Sequence, residues 1–108
     1  MTDKIVVLSA CGTAEEAEAI ARKLVETRLA ACVNIVPGMR SIYRWKEAIE
    51  DAPEWLLVIK SRRDLLGRLR AELQKAHSYE VPEVVALAVV DGSPAYLSWL
   101  DKELAPEE

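Results

Sequence analysis

Residues 30–61, AACVNIVPGMRSIYRWKEAIEDAPEWLLVIKS, read as one long, bent β-hairpin. Ala31, Val33 and Ile35 begin the first arm, Pro37-Gly38 interrupts it, and Arg40–Lys46 resumes it. In the resumed piece Met39, Ser41, Tyr43 and Trp45 fall on one face, and Arg40, Ile42, Arg44 and Lys46 on the other. Such period-two alternation, with β-branched and aromatic residues, is a strand signal. A proline that cannot donate to a ladder, beside a glycine that tolerates a re-aimed backbone, predicts a bulge or kink at 37–38. The polar cluster Lys46–Pro53 is expected to turn the chain, and Trp55–Ile59 to return as a strand apolar on both faces.

The hairpin's length carries a further expectation. About sixteen extended residues at roughly 3.3 Å each reach about 50 Å. A domain of about 100 residues is only roughly 35 Å across. The hairpin should therefore overhang its own globule, and a partly apolar strand pair with bare edges is an aggregation hazard unless covered. A second copy of the same chain is the simplest cover, so the expectation is an obligate homo-oligomer.

On the N-terminal side, Lys4–Cys11 reads as a strand, with Ile5, Val7, Ser9 and Cys11 on one face and Val6, Leu8 and Ala10 on the other. Thr13 with Glu16 matches a capping box opening a helix over Ala14–Thr27, whose stripe is Ala17, Ile20, Ala21, Leu24 and Val25. Beyond the hairpin, Leu65, Leu66, Leu69, Leu73 and Ala76 mark a second helix over about 64–76. Val84–Val90 is an uninterrupted apolar strand, and Ser93-Pro94 opens a short last helix through Leu100. The order β-α-β-β-α-β plus a helix is an α+β split-βαβ pattern: a four-stranded antiparallel sheet with two helices on one face. Residues 1–104 form a single domain, and 105–108 an acidic tail expected to fray. The last strand, apolar on both sides, should lie at a sheet edge, which again calls for cover by a neighbouring subunit.

The totals narrow the function. One domain of 108 residues, 51% apolar and 30% charged, is an ordinary globular chain, and a net charge of −4 makes nucleic acid or an anionic membrane an unexpected partner. No apolar run reaches the roughly 20 residues of a membrane span, and Met1-Thr2-Asp3-Lys4 does not open a secretory signal. A cytoplasmic protein is expected. Lys60, Arg62, Arg63, Arg68, Arg70 and Lys75 form a basic run that reads as a solvated helix face or, with less support, a phosphate or nucleic-acid patch.

No serine sits in a glycine-flanked elbow, the one histidine is His77, and no phosphate-cradling loop occurs. Catalysis is not expected. Cys11 and Cys32 are either small buried hydrophobes or, with His77, soft ligands that converge in space. The segment His77–Glu83 offers a polar pocket wall; alternatively His77 closes the second helix and Tyr79 packs at an interface.

LAACVNIVPGMRSIYRWKEAIEDAPEWLLVIKS, followed by HSYEVPEVVALAVVDGSPAYLSWL, resembles the CutA family of divalent-cation tolerance proteins from Ile5 to Leu100. The resemblance implies a ferredoxin-like homotrimer with interlocked hairpins, no organic cofactor, and copper or another divalent cation as the bound species. Copper ligation in bacterial members is attributed to a first-strand cysteine and a histidine pair. Those positions fall here on Ser9, with Cys11 two residues later, and on Ala76 and His77; Ser78 replaces the usual proline. The implied metal residues are Cys11, His77 and Cys32, and the implied interface pocket comprises Tyr43, Trp45, Lys60, Tyr79 and Glu83. The alternative is a trimeric signalling scaffold resembling PII proteins, with a small ligand between subunits.

Overall fold

The computed structural model describes residues 1–106. Its elements are β1 (Lys4–Cys11), α1 (Ala14–Glu26), β2 (Cys32–Trp45), β3 (Ala48–Arg62), α2 (Leu66–Ala76, entered through a 3-10 turn at Arg63–Leu65), β4 (Val85–Ala88) and α3 (Pro94–Glu103). The strands form one antiparallel sheet in the order β2-β3-β1-β4. This is the expected α+β plan, with β4 at an edge. β4 is shorter than the apolar run that announced it.

The hairpin differs from its sequence reading in one respect. β3 starts at Ala48, so Lys46–Pro53 is not a broad turn. Arg40–Trp45 pair residue by residue with Ala48–Pro53. The reversal takes only Lys46 and Glu47, at φ +49° and +69°. Positive φ at both central residues is what a two-residue hairpin turn of the I′ kind requires. The polar residues after it are strand residues: Arg40 grips Asp51 through Nε at 2.8 Å and Nη2 at 2.7 Å across the ladder. The kink at Pro37-Gly38 is a β-bulge. Val36 faces Leu56 and Met39 faces Glu54, so β2 carries one residue more than β3 over that interval, with Gly38 at φ +80°. The ribbon stretches the molecule to 44 × 24 × 21 Å.

Alternation gives the sheet two unlike faces. Ile5, Val7, Cys11, Leu57 and Ile59 point to one side and are buried with Ala17, Ile20 and Leu24 of α1 and Leu69 and Leu73 of α2. The other side holds Val6, Leu8, Leu56 and Val58, half-buried, and Val36, Val85 and Leu87, 43–48% exposed. α1 starts where Thr13 Oγ1 accepts the Glu16 N–H at 3.1 Å. Glu16 does not return the bond as in a capping box; its carboxylate turns to the segment after α2.

At the far end of the sheet, α3 is tied down by charge. Asp101 lies 3.1 Å from Lys4 and 3.3 Å from Arg62, both buried, and Arg62 also meets Asp64 at 2.7 Å. Lys4, then its own burial cost, then Arg62 act on Asp101, and the net effect holds its carboxyl below the usual range. Arg62, part of the basic run, is thus not surface charge. Ala105 donates to Arg28 O at 2.9 Å and accepts from Arg62 Nη2 at 2.6 Å; of the tail expected over 105–108, residues 107 and 108 lie outside the described residues.

Candidate metal centre and the adjoining groove

β1 ends at Cys11, on the helix-covered face, and the chain leaving α2 brings His77 against it. Cys11 Sγ lies 3.8 Å from His77 Nε2. The imidazole is fixed at both nitrogens: Nδ1 accepts the Tyr79 N–H at 3.0 Å, so Nε2 carries the proton, which it donates to Ala10 O at 2.7 Å. Glu16, one turn into α1, completes the cluster. Its Oε2 accepts the Ser78 N–H at 3.2 Å, and its Oε1 sits 3.5 Å from Nδ1. That Oε1 is buried without a hydrogen-bond partner among the described residues.

Thiol, imidazole and carboxylate donor atoms here all lie within 4.8 Å of one another. Sulfur, nitrogen and oxygen in one buried spot are a donor set for zinc or copper. Burial first, then the carboxylates of Glu16 and Glu54, push the Cys11 thiol up to about 12. An ion bound there must displace that proton, which couples affinity to pH. A buried carboxylate oxygen with no donor is the feature that fits a cation, since desolvation without compensation is costly.

Cys32 does not join this cluster. It pairs with Lys60 at one end of β3, whereas Cys11 pairs with Trp55 five residues away, about 17 Å along the strand. The two thiols also lie on opposite sheet faces. Ser9, at the position the resemblance gives to a cysteine, is fully buried, and its hydroxyl has no partner among the described residues. Glu16 is the member sequence reasoning missed: its spacing from Thr13 already had a local explanation.

Beside the cluster, on the sheet face opposite α1 and α2, a groove of about 730 Å³ runs between the hairpin arm and the 78–83 segment. Tyr43, Trp45, Tyr79 and Glu83 line it, with Glu54 and Glu80. Lys60 does not reach it; its ammonium donates to Asn34 Oδ1 near Cys32. Tyr79 joins groove to cluster. Its ring packs on His77 (centroids 4.6 Å apart) and its hydroxyl donates to Glu54 Oε2 at 2.8 Å. Burial, then that bond to Glu54, raise the Tyr79 phenol well above its ordinary value. Gly12 makes room for this bridge, since a Cβ there would stand 2.8 Å from the Tyr79 hydroxyl.

A family profile described as CutA1 divalent ion tolerance protein matches residues 5–103. The chain is 46% identical over 95 residues to the "Divalent-cation tolerance protein CutA" of Thermus thermophilus, covering 88% of this chain and 92% of that one. It is 47% identical over 90 residues to "Protein CutA" of Mus musculus, covering 83% of this chain but only 51% of the mouse protein. A solved structure of the divalent cation tolerance protein (Cut A1) from Thermus thermophilus superposes with a TM-score of 0.92 at 43% identity, covering 94% of this chain and 99% of that one. The names that describe a tolerance specify no reaction. No helix among the described residues is long and apolar enough to cross a membrane.

Proposed function

We propose, from the premise that this chain belongs to the CutA1 divalent ion tolerance family, that it sequesters a thiophilic metal ion, copper or another divalent cation, through Cys11, His77 and Glu16. The observation that carries this reading is the convergence of Cys11 Sγ, a ring nitrogen of His77 and the unpartnered Glu16 Oε1 within 4.8 Å. The metal is cargo. Cys11 supplies a thiolate once its proton leaves, Glu16 a fixed negative oxygen, and His77 the Nδ1 lone pair once it releases the Tyr79 N–H, while Nε2–H to Ala10 O keeps the ring in place. Cys32 is a second, separate thiol on the other face. A reducing cytoplasm, where we place the protein, keeps both thiols free.

Calorimetry with Cu(I), Cu(II) and Zn(II) tests this. The Cys11→Ala, His77→Ala double variant is expected to lose at least tenfold in affinity, Glu16→Gln to lose less, and Cys32→Ala to match the parent. Parent binding should strengthen as pH rises, because the ion competes with the Cys11 proton. Millimolar binding, equal in parent and double variant, sinks the metal role.

The working unit in this reading is a homotrimer. Support comes from a sheet face with Val36, Val85 and Leu87 nearly half exposed and a ribbon that extends past the core. Light scattering at micromolar concentration should give three times the chain mass; a folded single-chain species overturns it. The groove favours a second reading, in which the trimer binds a small ligand along the Tyr43, Trp45, Tyr79 and Glu83 wall.

A further inference from the structure

We infer that the groove between the hairpin arm and residues 78–83 receives a small organic cation, an alkylammonium or quaternary ammonium group; this rests on the reading of the groove as a ligand site. Among the described residues of one chain, its lining holds three carboxylates, Glu54, Glu80 and Glu83, and no lysine, arginine or histidine. Among the described residues no cationic side chain lies within ion-pair distance of any of the three. Glu54 is the decisive member. It is 6% exposed, and one oxygen is held by the Tyr79 hydroxyl. The other oxygen has no donor among the described residues and is not sealed off from the groove. A carboxylate oxygen that opens on the groove from an otherwise buried side chain, with no countercharge in the same chain, is placed to meet an incoming cation.

The rest of the lining sets the class of cation. Tyr43 and Trp45, about 40% exposed, present their rings to the groove together with Tyr79. Aromatic faces attract diffuse organic cations within about 6 Å of the ring centre. Lys46, just past the lining, already places its Nζ 5.7 Å from the centre of the Trp45 ring. A bare metal ion fits less well. The cluster of ligand atoms within 4.8 Å is Cys11–Glu16–His77, and the three groove carboxylates do not converge that closely. A polyatomic cation spans such a spacing, and about 730 Å³ accommodates one.

The test is calorimetry and thermal shift on the assembled protein with choline. Its neutral isostere 3,3-dimethyl-1-butanol, calcium chloride and citrate serve as comparison probes. Choline should bind saturably and raise Tm, with at least tenfold weaker binding in Glu54→Gln and in Trp45→Ala. Glu83→Gln, at an exposed position that leaves the fold intact, should weaken it by a smaller factor. Equal binding of the neutral isostere, preference for calcium, or unchanged choline affinity in both Glu54→Gln and Glu83→Gln overturns the inference. Saturable citrate binding without choline binding also overturns it, while leaving the groove a ligand site. Binding of none of the four removes both readings.

Discussion

The two faces of the sheet are built by the same strands and end in opposite conditions. On one, Val7, Leu57, Ile59, Leu69 and Leu73 are completely buried beneath α1 and α2. On the other, Val85 and Leu87 keep close to half their surface in water, beside Val36 and an aromatic, acidic groove. α1 and α2 cover one face, while α3 meets the other at Lys4 and Arg62. The covered face holds the hydrophobic core; the open face leaves apolar side chains in water. The Cys11–Glu16–His77 cluster lies where they meet, since Cys11 belongs to the covered side and Tyr79, packed on His77, reaches round to Glu54.

The contrast can be broken most forcefully from the covered side. Leu73→Ala should cost about 3 kcal/mol in urea unfolding, the loss of a well-packed leucine plus its cavity. Leu87→Asp on the open face should cost the single chain far less yet abolish the larger species in light scattering. If both variants unfold alike, the distinction between faces is wrong. Ser9→Ala should raise stability by about 1 kcal/mol, because it removes a buried hydroxyl that bonds to nothing described. A loss there would reveal a hidden partner for that oxygen. The smallest effect belongs to the exposed Asp101. Its carboxyl is held low by Lys4 and Arg62, so its contribution is complete above the ordinary carboxylate range and fades as pH falls through its folded value. Acid titration of Asp101→Asn should lack that part of the decline seen in the parent.

Much of this was legible in the residues. Alternation from Lys4 to Cys11 and from Arg40 to Trp45 assigned strands and faces, and Pro37-Gly38 announced the bulge. The tight turn was hidden because Lys46-Glu47 takes up positive φ without the Asn-Gly or Asp-Gly pair that usually marks it. Cys11 and His77, 66 residues apart, were expected to converge only as one of two open readings until the resemblance singled them out, since α2 has to end at the right height for them to meet. Glu16 was concealed by a motif that explained it too well. Lys60 shares the groove's face but stands six residues along β3 from Glu54, which places it beside Asn34 and outside the groove.

The bulge itself decides which side chains the distal arm can offer. Ahead of it, Asn34 and Val36 look toward the open side; past it, Ser41, Tyr43 and Trp45 do. One surplus residue therefore works as a phase shifter for everything out to the tip. Were the arm to pair straight through with every residue kept, Arg40, Ile42 and Arg44 would replace the aromatic wall. Two guanidinium groups would then stand against the carboxylates opposite, and the groove's preference would change sign with no side chain chemically altered. Excising Gly38, by contrast, removes the surplus itself: Tyr43 stays opposite Glu50 and Trp45 opposite Ala48, so a shorter arm keeps the same wall. The spot is thus a buffer for chain length, where a residue can be dropped without rewriting what the ribbon presents.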